Sequence, residues 1–342
     1  MDYDALIQFI QGHFTDGLVV VVGSGLSMAE GLPGMSDIAA SLCSQAGELS
    51  DGDFELWQKI KRSIENNEGL EAALLKDASS ETLREWIVKC TCDLLLPKEQ
   101  EVISAVLAGE KTLRMTTFLN KILRPPTGLP ILTPNYDRLI EVACELAGFH
   151  VDTLAVGHYA GAFDHQQSCM ASCKGITRRG KTSVLNHFPR AVVLKPHGSF
   201  DWYQTSSGPR RCSYDLPRAR LVITPGVNKY KEGYAAPFDT HRDRANDYVK
   251  QSAHLLIVGY GFNDDHLQIH LLNQIHSGTP TLILTQIANQ KTVDLVNESP
   301  NCVCVSKHPT EAGVSVCTST GSFEKAGSDL WDLGVLTKEL LP

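Results

Sequence analysis

The apolar positions of this chain gather in short continuous runs. GLVVVVGSG from Gly17, LPILTPNYD from Leu129, RAVVLKPHG from Arg190, ARLVITPG from Ala219, HLLIVGYGFND from His254 and TPTLILTQ from Thr279 each hold such a run between turn residues, and CVCVSK from Cys302 is a weaker version. Runs of this length without polar alternation predict strands covered on both faces. Between them lie helical patterns such as YDRLIEVACELAGF, where Leu139, Ile140, Val142, Ala143 and Leu146 fall near helical spacing. Asn135 stands just before that pattern, and a helix there would start at Tyr136 or Asp137. The alternation predicts an α/β fold: a Rossmann-like open parallel sheet with helices on both faces, its ligand at the carboxyl ends of the strands.

Two stretches break the rhythm. Residues 36–125 read as several helices without a clear strand (FELWQKIKRSIENN, LEAALLKDA, ETLREWIVKCTCDLLL, EQEVISAVLAGE), a helical subdomain inserted after the first strand of a single domain spanning 1–342. Its Trp57, Ile60, Trp86 and Ile87 exceed what one thin layer easily buries, which predicts a homo-oligomer joined through this insertion. Residues 151–190 show little periodicity and read as a cover loop. The terminal SDLWDLGVLTKELLP reads as a closing helix with its start signal at Ser328 or Asp329.

With 42% hydrophobic and 20% charged residues, the 342-residue composition is that of a globular protein. A formal net charge of -8 argues against a broad nucleic-acid face. The basic stretch KGITRRGKTS from Lys174 is the local exception and reads as a solvated loop. No apolar stretch reaches the roughly 20 residues of a membrane span, and the acidic, amphipathic MDYDALIQFIQ is unlike a signal peptide, so the expectation is a soluble, cytoplasmic protein. The ten cysteines include no paired C-x-x-C arms, so no structural zinc is expected.

Polar clusters follow four of the predicted strands: Gly23, Ser24, Gly25 and Ser27; Thr133, Asn135 and Asp137; Lys195, His197 and Gly198; Gly259, Tyr260, Gly261, Asn263 and Asp264. Neither the common dinucleotide fingerprint nor a G-x-x-x-x-G-K-[ST] loop is present. Each cluster alone fits turn chemistry. Asn135 also suits a helix cap, and His197 before glycine a turn histidine. Asp264, Asp265 and His266 read as the start of the helix HLQIHLLNQIH rather than a metal site.

Taken together, the clusters resemble the sirtuins in the broad sense, the silent information regulator superfamily with its bacterial sirtuin-like branch used in anti-phage defence. VVGSGLSMAEGLPG is similar to the family's GAG-x-S and Gly-Ile-Pro loop, TPNYD to its T-Q-N-x-D segment, KPHGSFDW to its His-Gly segment, and VGYGFNDDHL to the G-Y-S-F-N-D-x-H-I segment of the bacterial branch. The four occur in the family's order across residues 18–270.

The resemblance implies NAD as substrate, with no further cofactor. Asn135 would bind the ribose and position the attacking water, Asp137 would orient the nicotinamide carboxamide, and His197 would contact the ribose hydroxyls as general base. Gly23, Ser24, Gly25 and Ser27 would cradle the diphosphate, Gly259, Tyr260 and Asn263 would line the adenosine side, and Thr133 would also contact NAD. Sirtuin deacylases also carry zinc-binding C-x-x-C arms and an arginine after the Gly-Ile-Pro turn. This chain has GLPGMS there, and Pro134 replaces the glutamine before the asparagine. The resemblance therefore implies an NAD glycohydrolase, making nicotinamide and ADP-ribose, as a defence effector gated by self-assembly or by a separate partner such as a HerA-type ATPase or short Argonaute. The alternatives are a non-catalytic NAD- or ADP-ribose-binding or assembly module, and an NAD-dependent protein deacylase or ADP-ribosyltransferase.

Overall fold

A computed structural model describes residues 1–341 apart from 46–48, 67, 77–79 and 224–234. Its main sheet contains β1 (Leu18–Val22), β2 (Leu129–Leu132), β3 (His150–Asp152), β8 (Arg190–Leu194), β12 (His254–Val258), β13 (Thr281–Thr285), β14 (Cys302–Lys307), β15 (Gly313–Thr318) and β16 (Gly321–Ala326). A second sheet contains β4 (Ala155–Val156), β5 (Ala160–Phe163), β9 (Gly198–Thr205), β10 (Gly208–Cys212) and β11 (Arg220–Val222), and β6 (Cys173–Arg179) pairs with β7 (Thr182–His187) as a hairpin.

The nine-stranded sheet runs β16-β15-β14-β13-β12-β1-β2-β8-β3. All pairings from β14 to β3 are parallel, and β15 and β16 add an antiparallel hairpin at one edge. The chain leaves β1 toward β2 and later returns on its other side as β12. That reversal opens a crevice at the carboxyl ends of β12, β1 and β2, where ligands of open α/β sheets bind.

Continuous valines serve both faces of β1. Val20 and Val22 join a core with the helices Tyr3–His13, Arg114–Leu119, Leu139–Leu146 and Leu333–Leu340, while Val19 and Val21 face Ala245, Leu271 and Leu295 from the helices opposite. The α/β class read from the apolar runs is the observed one.

Several local expectations are corrected. The stretch GSGLSMA expected to cradle a diphosphate turns straight into a short helix, Ser24–Ala29, with Gly23 as its N-cap. The run at Arg220 does not enter the main sheet but pairs antiparallel with β9, and the part of that run from 224 onward lies outside the described residues. Residues 151–190 are not a loop. They hold β3 to β7, a helix His165–Ala171 and the start of β8, and their strands are too short or too exposed to print an apolar period. The basic stretch from Lys174 is the hairpin β6–β7. The closing helix begins at Leu333 with Asp332 as its cap, beyond the expected start signal at Ser328 or Asp329, because Asp332 accepts bonds from Gly334 N and Val335 N.

Among the described residues, 35–119 form five helices, and Trp57, Ile60, Trp86 and Ile87 are buried within the chain itself, while Met35, Phe54, Leu75 and Leu107 remain exposed. Trp57 and Trp86 meet edge-on at 5.1 Å, beside buried Ile60 and Ile87. The four residues that suggested an oligomer through this layer therefore pack internally.

Candidate functional site

A half-open cleft lies over the ends of β1, β2, β8 and β12. Its floor is made where the turns after β1 and β12 touch. Gly23 N donates to Val258 O at 2.9 Å and Gly25 N to Gly259 O at 3.0 Å. A Cβ on Gly23 would lie 2.3 Å from Gly259 O, and one on Gly25 would lie 2.8 Å from Gly259 Cα. These glycines are needed first for the close packing of two backbone turns, and their N–H groups are already engaged there.

The turn after β2 supplies the densest polar geometry. Thr133 Oγ1 accepts from Asn135 N at 3.1 Å, holding the bend. Asn135 Nδ2 donates to Gly23 O at 3.0 Å and to Ser27 Oγ at 2.9 Å, and Ser27 Oγ donates to Asp137 Oδ2 at 2.8 Å. With both amide hydrogens directed at these partners, the carbonyl oxygen is the side-chain atom of Asn135 left to accept from a ligand or water. Asn135 does not cap the following helix. That helix starts at Leu139, and Asp137 Oδ1 accepts from Leu139 N at 3.2 Å.

Asp137 is buried, and desolvation pushes its carboxyl above the ordinary range against the opposing pull of Lys195 and the Ser27 hydroxyl. Lys195, fully buried, donates to Asp137 O, to Glu141 Oε1 at 2.8 Å and to Ser199 Oγ at 3.3 Å. Arg138 forms a two-pronged pair with Glu99, a wholly buried carboxylate on the helix Glu81–Leu107, and Glu99 also accepts from Arg138 N. The site loop is thereby fastened to the helical layer.

His197 follows β8, and its Nε2 lies 2.8 Å from Asp264 Oδ2. Tyr260, Gly261, Asn263 and Asp264 close the β12 side, while Leu32, Pro33, Ile38 and Leu95 form an apolar wall. Among the described residues no group of three or more His, Cys, Asp or Glu is arranged to hold a metal, and no helix is long and apolar enough to cross a membrane.

Residues 130–295 match the SIR2-like domain family. That stretch, just under half of the chain, is similar to a SIR2-like domain. Among solved structures, one described as a SIR2 homolog–NAD complex is 14% identical with a TM-score of 0.44, covering 99% of this chain and 92% of that one. A point mutant of a Sir2 homologue in complex with ADP ribose is likewise 14% identical with a TM-score of 0.45, covering 99% of this chain and 95% of that one. No curated protein matches the chain.

Eight of the candidate residues line the cleft: Gly23, Ser24, Ser27, Asn135, Asp137, His197, Tyr260 and Asn263. Gly25, Thr133 and Gly259 stand behind it as packing and turn residues. Sequence reasoning missed the pairing of Asp264 with His197, having assigned Asp264 only to the start of the helix Asp265–His276. It also missed Glu99. Nothing local in either stretch signals a partner on a distant element.

Proposed function

We propose that this chain is an NAD glycohydrolase. The observation that carries the reading is the convergence of Asn135, Asp137 and His197 on one cleft at the sheet's reversal point, with an apolar wall suited to a nicotinamide ring. The C1′–N1 bond of NAD breaks, and its electron pair leaves with neutral nicotinamide. The ribose carbon passes through an oxocarbenium-like state that water captures. Asn135, fixed through Gly23 and Ser27, accepts a hydrogen bond from that water with Oδ1. Asp137 meets the carboxamide, and His197 takes the proton the water loses. The water's oxygen becomes the anomeric hydroxyl of ADP-ribose.

Phosphate contacts fall to Ser24 rather than to the Gly23 and Gly25 amides, which have backbone partners, or to the Ser27 hydroxyl, whose proton goes to Asp137. The same reading includes NAD depletion as an anti-phage effector function, in a homo-oligomer or under a separate regulator such as a HerA-type ATPase or short Argonaute. Incubating the purified chain with NAD, alone and with such partners, and separating the products tests it. Free ADP-ribose and nicotinamide are expected. Asn135→Ala and His197→Ala are each expected to lower turnover at least about a hundredfold while remaining folded. The two losses do not add, since both groups serve one transition state. A folded Asn135→Ala chain with near-normal turnover refutes the assignment.

A further inference from the structure

We propose that Asp264 is the positioning residue of His197, fixing which ring nitrogen serves as the base. The inference rests on the NAD-hydrolysing reading of the cleft. His197 follows β8 and Asp264 follows β12, strands separated in the sheet by β1 and β2. Three strand spacings amount to roughly 14 Å. The 2.8 Å contact therefore reaches over the ends of β1 and β2, across the floor that bears Gly23 and Asn135. Both side chains are buried, and both line the cleft.

The turn that delivers Asp264 is bent to do so. Gly259 has φ 59° and Phe262 has φ 53°, and a bulky residue in the left-handed region is a conformation that the surroundings must enforce.

Nε2 and Oδ2 are within ion-pair reach at 2.8 Å but off the line of a hydrogen bond; a carboxylate only accepts, so a small turn of the ring that closes this bond places the neutral imidazole's proton on Nε2. Nδ1 is then the lone pair that can take a proton from water or from a ribose hydroxyl, and the imidazolium so formed faces a negative charge. Asp264 does not touch substrate in this scheme. It acts through the ring.

Asp264→Asn separates this role from a structural one, because asparagine caps a helix as well as aspartate does. Its amide can donate to Nε2 and favour the opposite tautomer, leaving a proton on Nδ1. Ring-nitrogen NMR of His197, assigned by its loss in His197→Gln, is expected to show the Nε2–H tautomer in the native chain and Nδ1–H in Asp264→Asn. Turnover of NAD is expected to fall at least about a hundredfold in Asp264→Asn with less than about a threefold change in the dissociation constant for NAD. Asp264→Glu is expected to recover at least tenfold of that loss, and supplies the comparison if the amide variant does not fold. An unchanged tautomer, or unchanged turnover in a native chain that hydrolyses NAD, overturns the proposal. A native chain without hydrolysis but with the tautomer switch refutes the glycohydrolase reading and leaves the Asp264–His197 assignment standing.

Discussion

Replacing Gly23 with alanine tests whether the glycines after β1 serve a ligand or the fold. The added Cβ would lie 2.3 Å from Gly259 O, 2.5 Å from Tyr260 Cα and 2.8 Å from Gly259 C, all backbone atoms. Those atoms cannot swing aside, because β1 and β12 are in parallel register through Val22 and Val258 and the turns are tied by Gly23 N to Val258 O. Overpacking of this kind costs about 1–3 kcal/mol where side chains absorb it, and here backbone must move, so a loss of at least about 3 kcal/mol is expected. Two controls share the chemistry without the contact. At Gly34 the Cβ would meet the Sδ and Cε of Met28 at 2.8 Å, the far end of an exposed, flexible side chain, so Gly34→Ala is expected to change stability by less than about 1 kcal/mol. At Gly12, inside the helix Tyr3–His13, nothing lies within 4 Å, and alanine is expected to stabilise by about 0.5–1 kcal/mol. Urea unfolding of the three variants gives the ordering. If Gly23→Ala is as stable as Gly34→Ala and loses only NAD binding, the packing argument is wrong and the glycine serves the ligand alone.

Glu99→Ala removes the partner of Arg138 and leaves its partly exposed guanidinium and backbone N–H without that acceptor; a loss of about 1–3 kcal/mol is expected in denaturant unfolding, and with it a fall in NAD turnover. Burial lowers His13 from 6.5 to about 4, against the hydrogen bond with Leu255 O and with the repulsion of His254. Its folded value is depressed, so the unfolded chain binds the extra proton between about pH 6.5 and 4, and this stability is present above pH 6.5 and lost as pH falls through that window. His13→Gln, which can still hydrogen-bond Leu255 O, is expected to lose about 3 kcal/mol less than the native chain between those pH values, at about 1.4 kcal/mol per unit. Parallel unfolding curves at pH 7 and pH 4 read the difference, and equal losses in both chains refute it.

The parallel sheet was legible because strands buried on both faces print unbroken apolar runs, and the polar clusters were legible because each directly follows such a run. What stayed hidden is structure whose cause lies elsewhere in the chain. The hairpin β15–β16 sits at a sheet edge, and β16, GSFEKA, is mostly exposed, so it shows little apolar content. Gly23 and Gly25 announce a tight turn, but nothing in GSGLS tells that the surface they meet is the turn at Gly259. Asn135 before an apolar helix looks like a cap, yet the helix starts later because Asp137 supplies the bond to Leu139 N. Asp264 and Glu99 depend on His197 and Arg138, at 67 and 39 residues' separation, and pairing at such distance leaves no local pattern.

The buried charges around the cleft bear on why such a site needs so rigid a support. Hydrolysis of a bond with a good leaving group asks little covalent chemistry of the protein; the gain comes from holding water and ribose in place. The atoms that do this here hang on the six-residue turn from Thr133 to Arg138, which makes few backbone ladder bonds of its own. Lys195 grips the carbonyl of Asp137 from below, Glu99 grips the amide and side chain of Arg138, and Tyr136 donates to Ile223 O at 2.7 Å. Burying Lys195, Glu141 and Glu99 costs desolvation, and desolvation leads the upward shift of Glu141 despite Lys195 beside it. An apolar trio of equal volume would pack without that cost, as buried ion pairs elsewhere teach. It could not, however, bind two backbone groups of the turn at fixed angles. The stability forgone is therefore best understood as the cost of a turn that keeps Asn135 within hydrogen-bond reach of Gly23 and Ser27, and that makes Glu99, on a helix outside the sheet, a lever on the same turn.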